Sequence, residues 1–349
     1  MMNDEHYLSW LSKSGRSRWW HDSADPGELA RGLERGASGA TTNPFLARVA
    51  LAANRGRWAQ QIREALAAAA NAEDRAEQLM RIPVTEAARS LLPQFQGTEG
   101  RQGWVCAQVN PARAADREGM LAMARRFHAW APNVTVKLPA TSAGLDVLEE
   151  CVAEGVSVTL TVSFTVPQVL AVAERRRQGR ERANARQLAP GSCFAVLMIG
   201  RLDDYLREVA LDSRAEVTEE DIRQAGLAVA KRAYSLLEAR GDDLEIIVAA
   251  VRGPYHVTEL AGAKMIFSIF PSWQEPLMSG PLPRQERIRQ EIPPAVIRRL
   301  SRVREFVRAY EPDGMKPEEF IGFGPTQRTL AQFYDAGWKS MEGFAPELE

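Results

Sequence analysis

Lys137 is the residue best suited to do chemistry in this sequence. It lies in the run NVTVKLPAT, between Val136 and Leu138, and only six of the chain's 44 basic residues are lysines. Burial disfavours an ammonium and so frees an amine to attack a carbonyl carbon. The plainer alternative is a lysine that pairs with a buried carboxylate or reaches out to a rim. Asp22, which follows Trp-Trp-His, could exchange protons with a substrate hydroxyl. It could instead cap the next helix, but Asp25 suits that better, since it directly precedes Pro26. Asn43, in ATTNPF, either shapes a turn before Pro44 or hydrogen-bonds a hydroxyl. Arg201 ends the run AVLMIGR, and Arg252 ends IIVAAVR. Two such forks suit a phosphate, unless salt bridges, for example from Arg201 to Asp203 or Asp204, already occupy them.

These residues need a frame that gathers them. Eight β-branched or continuously apolar segments predict strands: Arg18–His21, Gly36–Thr41, Val105–Val109, Val134–Leu138, Val156–Val162, Phe194–Ile199, Leu244–Ala250 and Lys264–Phe270. Helical stretches fill the gaps: Pro26–Arg35, Asn43–Asn54, Trp58–Leu92, Arg113–Trp130, Ala143–Ala153, Pro167–Leu188, Thr218–Arg240 and Tyr255–Gly262. Strand and helix alternating eight times predict an α/β fold of the (β/α)₈ TIM-barrel type. An open doubly wound sheet is the alternative, but HDSADPGE after the first strand is no glycine-rich phosphate loop. We expect one domain over 1–349, with a barrel core at about 16–275 and a C-terminal helical extension over 276–349. Extra helices over 58–103 follow the second strand. The extension is expected to hold a helix near Pro294–Tyr310 and a tail, GFGPTQRTLAQFYDAGW, that could cover the barrel mouth. In a barrel, function collects at the C-terminal strand ends, here Asp22, Asn43, Gln108, Lys137, Thr159, Arg201 and Arg252.

Composition narrows the partners. A net charge of −1 gives no field favouring nucleic acid or an anionic membrane. No apolar stretch is long enough to span a bilayer, and the first residues lack a signal-peptide core, so a cytoplasmic protein is expected. Cys106, Cys151 and Cys193 read as buried thiols rather than a disulfide framework. His6, His21, His128 and His256 show no metal-ligand spacing, so neither a metal nor another cofactor is expected. Ser163 and Ser192 lack a histidine and acid suited to a triad. The extra helices offer a surface for a homodimer.

Six motifs, taken in order, resemble the transaldolase family. WWHDS is similar to its first-strand W-x-D-S segment, SGATTNPFL to its second-strand G-x-T-T/S-N-P motif, and NVTVKLPATSAGL to the segment that bears the Schiff-base lysine. VSVTLTVSF resembles the fifth-strand N-x-T-L-x-F-S segment and MIGRLDDYL the motif F-V-G-R-x-x-D. VAAVRG followed by ELAGAK resembles the seventh strand and its helix. The resemblance runs from about Arg18 to Pro271.

The resemblance implies transfer of a three-carbon ketol unit between sugar phosphates through a Schiff base on Lys137. Asp22 would be the acid/base, Asn43 would orient hydroxyls, and Thr159 would help hold the catalytic water. Arg201 and Arg252 would grip the phosphate. The family's third-strand glutamate is Gln108 here, which cannot accept a proton but can orient a water. The related fructose-6-phosphate aldolases also carry glutamine there. Ser157 stands for the asparagine of the fifth-strand segment, as a substrate-binding candidate. Val196, Met198 and Ala250 replace a serine, a phenylalanine and a serine, which makes the pocket less polar and points to a changed substrate. Free aldolase activity, a specialised biosynthetic carbon–carbon bond reaction, or an inactive paralogue that binds a sugar phosphate are the alternatives.

Overall fold

The computed structural model describes residues 6–14 and 16–345. Its core is a closed barrel of parallel strands in the order β1 to β8: Arg18–Asp22, Gly39–Thr41, Trp104–Gln108, Val134–Pro139, Val158–Thr161, Cys193–Leu197, Glu245–Val248 and Met265–Ile269. All eight predicted strands are present. They were recognisable because strands covered on both faces read as unbroken apolar runs. Outward residues such as Val134, Val136 and Leu138 are fully buried beneath the surrounding helices.

Inward residues fill the barrel in layers. Trp20 of β1 meets Phe194 of β6 edge-on at 5.3 Å, and Trp104 of β3 meets the same ring at 6.1 Å. At the N-terminal end, Arg18 pairs with Glu245 at 2.5 Å. Above the rings, polar residues take over. Gln108 lies beside Lys137, and Lys137 beside Thr159, in the strand register. Aromatics therefore plug one end, and the polar layer faces the C-terminal mouth.

Several elements depart from the expectation. The run AVLMIGR crosses from strand to helix: β6 stops at Leu197, and a helix spans Ile199–Asp212 where none was expected. Leu202, Leu206 and Ala210 form the buried stripe of that helix. Trp58–Leu92 is two helices, Ala59–Ala68 and Ala72–Gly97, divided where Asn71 accepts from the Asp74 N–H at 2.9 Å. Pro294–Tyr310 likewise divides into Pro294–Leu300 and Arg304–Tyr310. Helices at Tyr7–Ser14 and Pro271–Ser279 were not anticipated.

The tail lies across the mouth. Helix Gly324–Phe333 runs into a π-turn, Tyr334–Trp338, and then helix Lys339–Glu342. The inserted helix Ala72–Gly97 anchors it, with Arg75 Nη1 donating to the Glu342 carbonyl at 2.9 Å. Gly337 packs so closely on the turn after Asn43 that a Cβ there would lie 2.5 Å from Phe45 N. No described helix is long and apolar enough to cross a membrane.

Candidate active site

Lys137 enters the barrel from the middle of β4, whose alternation also turns Thr135 inward. It is 6% exposed, and its Nζ donates to the Thr42 carbonyl at 3.0 Å. Among the described residues, no carboxylate forms an ion pair with it. Asp22, at the end of β1, faces the same space and couples electrostatically to Lys137. Thr41 Oγ1 donates to Asp22 Oδ1 at 2.7 Å, and Ser268 Oγ of β8 lies 2.5 Å from Thr41 Oγ1. Burial raises the Asp22 carboxyl above the usual range, although Lys137, Thr41, Arg201 and Ser268 all oppose the shift. A carboxyl held up in this way keeps its proton more readily than a free one and is suited to exchange it with a substrate hydroxyl.

Both groups line a cavity of about 250 Å³ at the C-terminal mouth, together with Asn43, Arg201 and Arg252. Asn43 does two jobs. Its Oδ1 accepts from Leu46 N at 3.0 Å and caps helix Pro44–Ala53, while the residue still faces the cavity. Asp25, as expected, caps helix Pro26–Glu34 by accepting from Glu28 N at 2.9 Å. Gln108 and Thr159 flank Lys137 in register but lie below the cavity wall. Gln108 is buried with Oε1 unpartnered, and Thr159 Oγ1 lies 2.9 Å from Thr135 Oγ1.

Ser157 does not reach the site. It precedes β5, and its Oγ accepts from Ser192 N at 3.2 Å, toward the N-terminal end of the barrel. The strand alternation puts 157, 159 and 161 on one face, but only the depth along the barrel axis decides which of them meets the cavity. Thr161 does so, with its hydroxyl buried and unpartnered.

Arg201 sits in the first turn of helix Ile199–Asp212, and Arg252 in the loop after β7. The suspected Arg201 salt bridge to Asp203 or Asp204 is absent among the described residues. Instead Asp204 Oδ2 accepts from Arg252 Nη2 at 2.7 Å and Nε at 3.0 Å. Burial first, and the charge of Arg252 second, push the Arg201 guanidinium below its ordinary value, with Asp204 and Asp22 opposing. A second guanidinium this close leaves uncancelled positive charge at the mouth.

Residues outside the expected set hold this arrangement. Arg252 N donates to His256 Nδ1 at 3.1 Å, which puts the imidazole proton on Nε2, facing Asp203 Oδ2 at 3.0 Å. Asp203 Oδ1 accepts from Gly226 N at 2.7 Å, and both His256 and Asp203 are buried. Val162 and Ala250, just beyond β5 and β7, have φ of 54° and 57°, a left-handed conformation that is costly for a β-branched residue. Gln168 pins the first of these loops: its Nε2 donates to the Ala140 and Val162 carbonyls, and its Oε1 accepts from Phe164 N. A glutamine two residues into a helix gives no sign of this in the sequence. One side of the cavity is apolar, built by Val196, Met198, Ala249, Ala250 and Phe270. Among the described residues, no group of three or more His, Cys, Asp or Glu is placed to hold a metal ion.

A family model described as transaldolase/fructose-6-phosphate aldolase matches residues 19–312. Among curated proteins, a transaldolase of Neisseria gonorrhoeae is 31% identical over 229 residues, covering 64% of this chain and 62% of the relative. A transaldolase of Thiobacillus denitrificans is 31% identical over 240 residues, covering 64% and 65% respectively. Transaldolase 1 of Streptomyces avermitilis is 29% identical over 243 residues, covering 68% and 62%. The match therefore spans less than two thirds of the length of these relatives, and the tail residues at the mouth lie beyond the family match. From the first strand through the last and into the extension, the matched residues follow the whole barrel, and the chain belongs to the transaldolase/fructose-6-phosphate aldolase family.

Proposed function

We propose that the chain is a transaldolase that transfers a three-carbon ketol unit between sugar phosphates through a Schiff base on Lys137. One observation carries the proposal: a 6%-exposed lysine, without a carboxylate partner among the described residues, shares the mouth cavity with a carboxyl held above its ordinary range. The Lys137 amine adds to the ketose carbonyl, and loss of water gives an iminium. Asp22 then takes the proton of the hydroxyl on the carbon β to the iminium. The bond between the α and β carbons breaks, its electron pair enters the iminium to form an enamine, and the aldehyde leaves. The enamine attacks an acceptor aldehyde, Asp22 returns the proton, and water releases the product.

In this reading Asn43 orients substrate hydroxyls, while Gln108 and Thr159 hold the water from beneath Lys137. Arg201 and Arg252 take the phosphate. The apolar wall of Val196, Met198 and Ala250 favours a substrate with fewer hydroxyls on that side. Turnover of fructose 6-phosphate with and without an acceptor aldehyde tests the proposal. Product that appears only with acceptor supports transfer. Equal release of the three-carbon ketone without acceptor would make the enzyme an aldolase.

A further inference from the structure

The tail brings to the cavity a group that the aldol steps do not use. Gln332 and Phe333 line the same space as Lys137 and Asp22. Arg201 Nη1 donates to Gln332 Oε1 at 2.6 Å, and the guanidinium lies over the Phe333 ring at 5.3 Å. No ion pair involves Arg201 among the described residues. Of the two carboxylates coupled to it, Asp204 already accepts from Arg252 and from Arg207, and Asp22 accepts from Thr41. Two guanidiniums thus stand together, Asp204 bonds only one of them, and the side-chain hydrogen bond of the other goes to a neutral amide. That amide fixes the Arg201 fork without cancelling its charge. Gln332 Nε2 makes no bond among the described residues, which leaves it able to donate. The clasp of Gly337 on Pro44 and Phe45, and of Arg75 on the Glu342 carbonyl, holds the tail in place.

We propose that Gln332 is a specificity-determining residue for the anionic end of the substrate. Its Oε1 orients Arg201, and its Nε2 donates to an oxygen of a phosphate monoester held between Arg201 and Arg252. This rests on the assignment of those two arginines to a phosphate. It makes the tail part of the substrate site, in addition to a cover over it.

Calorimetric titration with inorganic phosphate tests the proposal on the wild type, Gln332→Ala and Gln332→Glu, with melting temperatures measured alongside. Gln332 is exposed, so both variants keep the fold. Loss of one charge-assisted bond raises the phosphate Kd about tenfold in Gln332→Ala. Glutamate has the same shape and would bond Arg201 more strongly, but it cancels the charge that phosphate needs. Gln332→Glu is therefore expected to bind phosphate more weakly than Gln332→Ala while melting no lower. With fructose 6-phosphate the same order is expected in KM, and kcat changes less. A residue that only docks the tail would give the opposite order, with Gln332→Glu binding phosphate as well as the wild type, and that result overturns the proposal. So does a wild type that binds no phosphate. Because the titration does not involve Lys137, failure to form a Schiff base would leave this result standing.

Discussion

Replacing Gly200 by alanine would put a Cβ 2.1 Å from the Ala250 carbonyl oxygen and 2.7 Å from Arg252 Cγ. Carbon–oxygen contacts normally stop near about 3.3 Å, so the ends of β6 and β7 would have to part by roughly 1.2 Å. Ala250 cannot simply rotate aside. It is already held at φ 57°, and its carbonyl accepts from Arg252 Nη1 at 2.9 Å. The parting therefore moves the Arg252 loop away from the first turn that carries Arg201. Overpacking of this kind costs about 1–3 kcal/mol of stability. A misplacement of about 1 Å can cost on the order of 10²-fold in a positioned reaction, so KM for fructose 6-phosphate should rise by about 10- to 100-fold. Steady-state kinetics with fructose 6-phosphate and with fructose, beside a thermal melt, read both effects. The rise should be far larger for the phosphorylated ketose. An equal rise for both sugars would refute the reasoning, because the damage would then not be local to the anion site. An unchanged KM for both would show that the two strand ends part freely.

Asp22→Asn should lower kcat by about 10²–10⁴-fold, the usual weight of a positioned acid/base group. It should also change how stability depends on pH. The folded-state pKa of Asp22 lies above its unfolded value, so its contribution is fully present below the unfolded pKa and is lost as pH rises through the folded one. The variant's melting temperature should therefore gain on the wild type as pH rises from about 4, and a pH-independent difference would contradict the burial argument. His256→Ala should destabilise the fold by about 1–3 kcal/mol in denaturant titrations, because Asp203 Oδ2 would be left buried without its imidazole hydrogen bond. A loss within the scatter of surface substitutions would mean that the His256–Asp203 pair does not hold the Arg252 loop.

The barrel was largely legible because parallel strands buried on both faces leave apolar runs in the chain. Lys137 and Asp22 stood out for the same reason, as charges at positions where a run should continue. The start of the Arg201 helix was hidden, because Met198, Ile199 and Gly200 carry the apolar run straight across the junction. Ser157 was misjudged because alternation gives the face of a strand but not the height of a residue in the barrel. That height depends on the stagger between strands. Thr41, Thr161 and Ser268 could have been found by stepping two residues along inward-facing positions. Gln332 could not. Its place depends on Gly337 meeting Phe45 and on Arg75 meeting Glu342, contacts between segments far apart in the chain that no local pattern announces.

Borohydride reduction in the presence of dihydroxyacetone or fructose 6-phosphate, followed by intact-mass analysis and peptide mapping, probes the amine itself. With only six lysines in the chain, the modified position is unambiguous. One stable three-carbon adduct per chain, on Lys137 and lost in Lys137→Arg, is the predicted result. No adduct with any ketose, or an adduct on one of the other lysines, would contradict the assignment of Lys137.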